Sequence, residues 1–188
     1  MPGQLDIALP ADRGGAREFR DAMGVFPAAV CVVTALDDEG IPRGLTCSAV
    51  CSVSMEPPCL LVCVNRRNRS LEAIRHSQGF VVNLLRAGRY ELSNLFASAS
   101  PDKFAEAPWH PSPASGLPLL DADALAFVDC ALSTEIHAGS HAVLIGLVRE
   151  SGAAEPGDGP LVYWQRNYGQ WSPCVPIRDF AEMPEIYA

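Results

Sequence analysis

The chain has 188 residues, 48% of them hydrophobic and 7% aromatic, which suits one globular domain and excludes a disordered polymer. Its formal net charge of -8 argues against a nucleic-acid binder, which would present a basic face. Seven cysteines in a chain of this length are an odd number, and Cys31, Cys63 and Cys130 sit inside apolar runs, so they read as small hydrophobes and not as a disulfide framework.

Residues 1–15 mix Pro, Gly and charge and read as a flexible arm ahead of a single domain over residues 16–170. Phe19, Met23 and Phe26 recur at helical spacing and predict a short amphipathic helix that Pro27 ends. Ala28 to Leu36 is rich in β-branched and small residues, and Asp37 to Gly40 is a turn, so a hairpin follows whose second strand carries Gly44 to Ser52. Leu60 to Val64 reads as a core strand. Ser70 is placed to cap a helix with Leu71 and Ile74 inward, ending near Gly79.

Phe80 to Leu85 is the next strand, and Leu92, Leu95 and Phe96 share one face of a helix over residues 89–97. Ser100 followed by Pro101 predicts a further helix start. Pro108 to Leu120 is proline-rich and reads as a surface loop. Leu125 to Ile136 and Ala142 to Val148 are long apolar strands joined by a hairpin at residues 137–141, and Leu161 to Trp164 is the last strand before a tail from residue 171. Many strands at hairpin spacing with few short helices predict a mainly β, antiparallel barrel, since closure disposes of sheet edges. No run reaches transmembrane length and no charged leader precedes an apolar stretch, so the expectation is a reducing cytoplasm with no membrane partner.

The stretch from Gly44 to Ser70 carries the chemistry. A small, hydroxyl-rich segment meets Pro57-Pro58, then an apolar strand stops at Asn65 before Arg66, Arg67, Arg69 and Ser70. Small side chains let backbone N–H groups approach a flat or anionic ligand, and an Arg/Ser cluster can hold phosphate. That combination suits a phosphorylated aromatic cofactor.

The chain resembles the short flavin reductases with an FMN-binding split barrel, of Greek-key type, which partner two-component flavin monooxygenases. The resemblance rests on Gly44 to Ser48, Ser52 to Ser54 before Pro57, Val62 to Asn65 with Ser70, Lys103-Phe104, Gly139-Ser140-His141, and the closing Tyr163-Trp164 to Tyr168-Gly169. It implies a homodimer with FAD or FMN in a groove near the subunit boundary. Thr46, Cys47, Ser48, Ala49 and Val50 would line the isoalloxazine, with Ser52 following. Val62, Cys63, Val64 and Asn65 would pass beside the ring and ribityl chain. Arg66, Asn68, Arg69 and Ser70 would meet the phosphate, aided by Lys103 beside Phe104. The family usually has Ser-Phe at Ala49-Val50 and Gly-Asp-His at residues 139–141, where this chain has Ser140 in place of the acid.

Hydride transfer from NADH (or NADPH) to flavin is carried by the cofactors, while protein supplies geometry and exclusion. His141, beside Gly139, is therefore assigned to nicotinamide positioning, with Tyr168 and Arg166 as walls or phosphate contacts for the dinucleotide. The implied activity is an NAD(P)H:flavin oxidoreductase delivering reduced flavin to a monooxygenase. Plainer readings stand beside these assignments: a hairpin-tip histidine satisfied by backbone, a solvated arginine turn (preferred for Arg67), and a surface Lys103. Cys47/Cys51, Cys59/Cys63 and His137/His141 each stand four apart, but no Cys-x-x-Cys pair supports a metal. The rival functions are a flavin-binding module without turnover and a pyridoxamine-phosphate-oxidase-like enzyme on the same barrel.

Overall fold

A computed structural model describes residues 3–7, 15–154, 157 and 159–171 of the chain. In chain order the elements are β1 (Gly3–Ile7), α1 (Ala16–Gly24), β2 (Ala28–Ala29), β3 (Cys31–Leu36), β4 (Pro42–Cys47), β5 (Val50–Met55) and β6 (Pro58–Asn65). Then come α2 (Arg69–Ser77), β7 (Gly79–Leu85), α3 (Tyr90–Ala97), α4 (Lys103–Glu106), β8 (His110–Pro111) and β9 (Pro118–Leu119). The long hairpin β10 (Ala124–Ala138) and β11 (His141–Ala153) is followed by β12 (Leu161–Trp164) and β13 (Asn167–Gln170).

The main sheet runs β4-β3-β7-β10-β11-β6-β5, antiparallel at every step. Its two end strands are consecutive in sequence and joined only by Ser48 and Ala49. A flat sheet would hold β4 and β5 roughly 29 Å apart at about 4.8 Å per strand, whereas the link spans at most about 11 Å. The sheet must therefore coil until its ends meet. No ladder pairs β4 with β5 among the described residues; the seam is bridged by the Cys63 N–H donating to Ala49 O at 3.0 Å and the Cys47 thiol to Cys63 O at 3.5 Å. The result is a mainly β, split barrel, as expected.

Alternation fills its inside. Val33, Val62, Val64, Phe80, Val82, Cys130 and Leu144 form the core, and α2 plugs one end with Leu71 and Ile74. Phe80 needs Gly146 opposite, because a Cβ there would lie 2.7 Å from its Cζ. Burial pushes the Cys31 and Cys130 thiols up to about 12, so they stay protonated within this core.

Several expectations change. Gly3–Ile7, taken into the arm, is a strand parallel to Thr134–Ala138 of β10; the alternation of Gln4 and Asp6 with Leu5 and Ile7 was its signal. The expected strand over Gly44 to Ser52 is broken into β4 and β5 on opposite ends of the sheet. Helix α2 is capped by Asn68, whose Oδ1 accepts from the Ser70 N–H at 2.9 Å, and not by Ser70. The helix expected to start at Pro101 is α4, which starts at Lys103. The proline-rich segment is not a mere surface loop: Ser112, Leu117, Leu119 and Leu120 are buried. Strand residues hold it, with Thr34 Oγ1 donating to Pro118 O at 2.5 Å and Asn83 Oδ1 accepting from the Leu120 N–H at 2.9 Å. Asp129 accepts from Ser112 and Ser115 at 2.5 Å each. Strand β13 was missed because its two-residue turn, Gln165-Arg166, adopts positive φ (47° and 63°) without the usual Asn or Gly. Except for Trp171, the tail lies outside the described residues.

Helix α2 is pinned at its far end. Arg75 donates through Nε and Nη2 to both oxygens of Glu135 on β10, at 3.0 and 2.5 Å, and His137 Nε2 lies 2.8 Å from Glu135 Oε1. The Arg75 hydrogen bonds outweigh burial and hold the Glu135 carboxyl below its usual 4.5. A depressed folded pKa contributes stability above the ordinary carboxylate value and loses it as pH falls through the folded one. Glu135→Gln should therefore cost about 1–2 kcal/mol at pH 7, the range for hydrogen bonds to charge discounted for solvent around Arg75. Urea unfolding should also show a variant whose stability falls less on acidification below 4.5 than that of the parent chain.

Candidate active site

Strand β4 leaves the hairpin turn and passes beneath α3 and α4. Gly44 makes this close approach: a Cβ would lie 2.6 Å from Phe96 Cε1 and 3.3 Å from Phe104 Cζ. Those two rings pack edge to face at 5.1 Å on the glycine floor. Beside them opens a cleft of about 360 Å³, walled by Arg43 and Gly44, by residues 67–70 at the start of α2, and by residues 98–101, Lys103 and Phe104.

The cleft is cationic by construction. Arg43 Nε is held by Asp37 Oδ2 at 2.7 Å, which leaves its terminal nitrogens as donors. Burial around Asp37 raises its carboxyl, but the N–H groups of Ile41 and Glu39 with Arg43 outweigh this and hold it low, so the clamp stays charged. Lys103 Nζ donates to Phe96 O at 2.7 Å and Gly44 O at 3.4 Å, tying α4 to the end of α3 and to β4. Burial lowers its pKa, and one of its three ammonium donors remains. Arg69, exposed Arg67 and the partial positive charge at the N-terminus of α2 complete the wall.

A second cleft adjoins through Arg67, bounded by Asn65, Arg66, Gly139 and Ser140. Here the β10–β11 hairpin tip meets the end of β6: the Arg66 N–H donates to Ser140 O at 3.0 Å, and His141 is the register partner of Asn65. His141 is exposed, with its Nδ1 2.9 Å from Ser140 Oγ. The serine hydroxyl is thus within hydrogen-bond reach of the imidazole and orients it.

Of the predicted site residues, the structure brings together Asn68, Arg69, Ser70, Lys103 and Phe104 in the main cleft, and Asn65, Arg66 and Gly139 beside His141. Val62 and Val64 are fully buried with their side chains in the barrel core, whereas half-buried Cys63 between them lies on the outer side of β6. Cys47 is buried, its thiol raised to about 11 by desolvation. Thr46 Oγ1 donates to Ser93 O at 2.5 Å, and the Tyr168 hydroxyl meets Ser93 Oγ and Asn94 Oδ1, so both brace α3. Ser48 and Val50 line a separate apolar groove of about 350 Å³ with Phe26, Pro27, Leu84 and Val128. Ala49 and Ser52 are exposed, and neither they nor Arg166, at the β12–β13 turn, line any of these clefts.

Arg43 and residues 98–101 line the cleft without being expected there, and Arg67 stands in its wall although a solvated turn is its plainer reading. For Arg43 the signal was available: an aspartate six residues earlier across a tight turn. Three guanidinium groups, a lysine, Ser70 and a helix N-terminus match a phosphate's acceptor oxygens, so the donor set fits a phosphorylated flavin.

The comparisons agree with that fit. Residues 23–172 match the flavin reductase like domain. The chain is 43% identical over 153 residues to flavin reductase (NADH) of Kitasatospora aureofaciens, covering 81% of this chain and 80% of that one. It is 39% identical over 171 residues to flavin reductase (NADPH) of Lentzea aerocolonigenes, covering 89% and 99%. The solved structure of nitrilotriacetate monooxygenase component B from Mycobacterium thermoresistibile superposes with a TM-score of 0.79 at 32% identity, over 90% of this chain and 96% of that one. A split barrel with a glycine-floored cationic cleft, matched over this length, belongs to the flavin reductase like domain family.

Proposed function

We propose that this protein is an NAD(P)H-dependent flavin reductase that passes reduced FAD or FMN to a separate flavin-dependent monooxygenase. The observation that carries the reading is the convergence of Arg43, Arg67, Arg69, Ser70 and Lys103 on one cleft beside the His141 hairpin tip. Relatives named for both NADH and NADPH, and a structural neighbour that is a monooxygenase component, support the reaction class and the partner.

A bound flavin would supply hydride acceptance and delivery. The chain's own task is placement. The cationic cleft grips the phosphate, the rigid rings over Gly44 fix the cleft wall, and His141 positions the nicotinamide with its ring steadied by Ser140. A homodimer belongs to this reading. It is supported by Phe19 on α1, 69% exposed, by Phe26 just beyond that helix, 65% exposed, and by Val53 and Leu147 exposed on β5 and β11. Six free thiols among the described residues support action in a reducing cytoplasm, and no described helix is long and apolar enough to cross a membrane.

Purified protein should oxidise NADH only when riboflavin, FMN or FAD is present; background consumption with all three would overturn the reading. His141→Ala should raise the KM for NADH on the order of five-fold, the worth of about one hydrogen bond, with flavin affinity nearly unchanged in a binding titration. Arg69→Ala should weaken FMN by about ten-fold or more, as loss of a charge-assisted contact requires, and leave riboflavin nearly unaffected. Equal losses for both flavins would remove Arg69 from the phosphate.

A further inference from the structure

The main cleft does not end at its arginines. Arg43 and Arg69 also wall a recess of about 400 Å³ between the β3–β4 turn and the outer face of α2. Its other walls are Asp37, Asp38, Glu72, Ala73 and His76. Arg67 likewise joins the main cleft to the hairpin-tip cleft. One trough therefore runs from beside His141, across the cations, to His76. The helix rise places His76 about 9 Å beyond Ser70 along α2.

The chemistry changes along that trough. Its middle is cationic and suited to phosphate. Beyond Arg43 and Arg69 it contains no further Lys or Arg, and its carboxylates repel a second anionic group while accepting hydrogen bonds from neutral amino and hydroxyl groups. Arg75 occupies Glu72 Oε1 at 2.6 Å, leaving the other oxygen available. The exposed His76 ring offers a flat platform, and histidine is among the side chains on which bases stack. The boundary is stiff, because Arg43 is clamped to Asp37, whose Oδ1 in turn accepts from the Ile41 N–H at 2.8 Å and the Glu39 N–H at 3.1 Å.

We propose that this trough selects a dinucleotide flavin over a mononucleotide one, with the pyrophosphate between Arg43 and Arg69 and the adenosine half in the recess against His76. The inference rests on the flavin reductase reading and names the substrate class of that same site. A mononucleotide ends in the cationic middle and leaves the recess to solvent. A dinucleotide fills both volumes.

Fluorescence titration of the full chain with FAD, FMN and riboflavin tests it, together with His76→Ala and with Asp38→Trp, which fills the recess. Both positions are exposed, so the variants keep the fold. FAD should bind about ten-fold or more tighter than FMN, and each variant should weaken FAD by about five-fold or more while FMN changes by less than about two-fold, as loss of a stacked base requires. Equal affinity for FAD and FMN, or equal losses in the variants, would overturn the assignment. Flavin-dependent NADH oxidation is measured alongside. If it persists with no advantage for FAD, only the recess assignment falls; if it is missing with every flavin, the reductase reading falls with it.

Discussion

Two residues, Ser48 and Ala49, connect the strands at opposite ends of the main sheet, and this short tether obliges the whole sheet to coil. Once it coils, its inside must be filled by one face of each strand, and its end must be closed. Helix α2 does the closing, because β6 delivers the chain to the open end and Leu71 and Ile74 supply the apolar face. That same placement sets the N-terminus of α2 beside Arg43 and Gly44 of β4, so the binding cleft is a by-product of sealing the barrel. The Arg75–Glu135 link fixes the other end of the helix, which keeps the cleft wall from rotating.

The electrostatics run against the protein's overall balance. A chain of net charge -8 gathers Arg43, Arg67, Arg69 and Lys103 around one opening. With a screening length of about 8 Å at physiological salt, distant surface carboxylates are largely silent there, while charges within the low-dielectric cleft act on one another. Two of the acidic residues nearby also have structural tasks. Asp37 aims Arg43, and Glu72 meets Arg75. Lys103 shows the same economy: two donors brace the backbone of Phe96 and Gly44, and one is left to face outward.

The residue pattern alone determined the strand-rich class, most strand and helix positions, and the Arg/Ser cluster after Asn65, because period-2 and period-3.6 alternation and a run of adjacent cations are local properties. The motif order also pointed to the family. What remained hidden depended on distance through space. Nothing local says that the Gly44 to Ser52 strand breaks to serve both ends of a coiled sheet, or that buried Asn83 and Thr34 draw a proline-rich segment into the core. Val62 and Val64 stand in a strand beside the site, yet only the direction of coiling decides that their side chains face the core. Arg43 becomes a site residue because Asp37 lies across a turn and Arg69 arrives from another element. Side-chain type and spacing are written along the chain, whereas the convergence of charges on one cleft is decided by how the sheet closes.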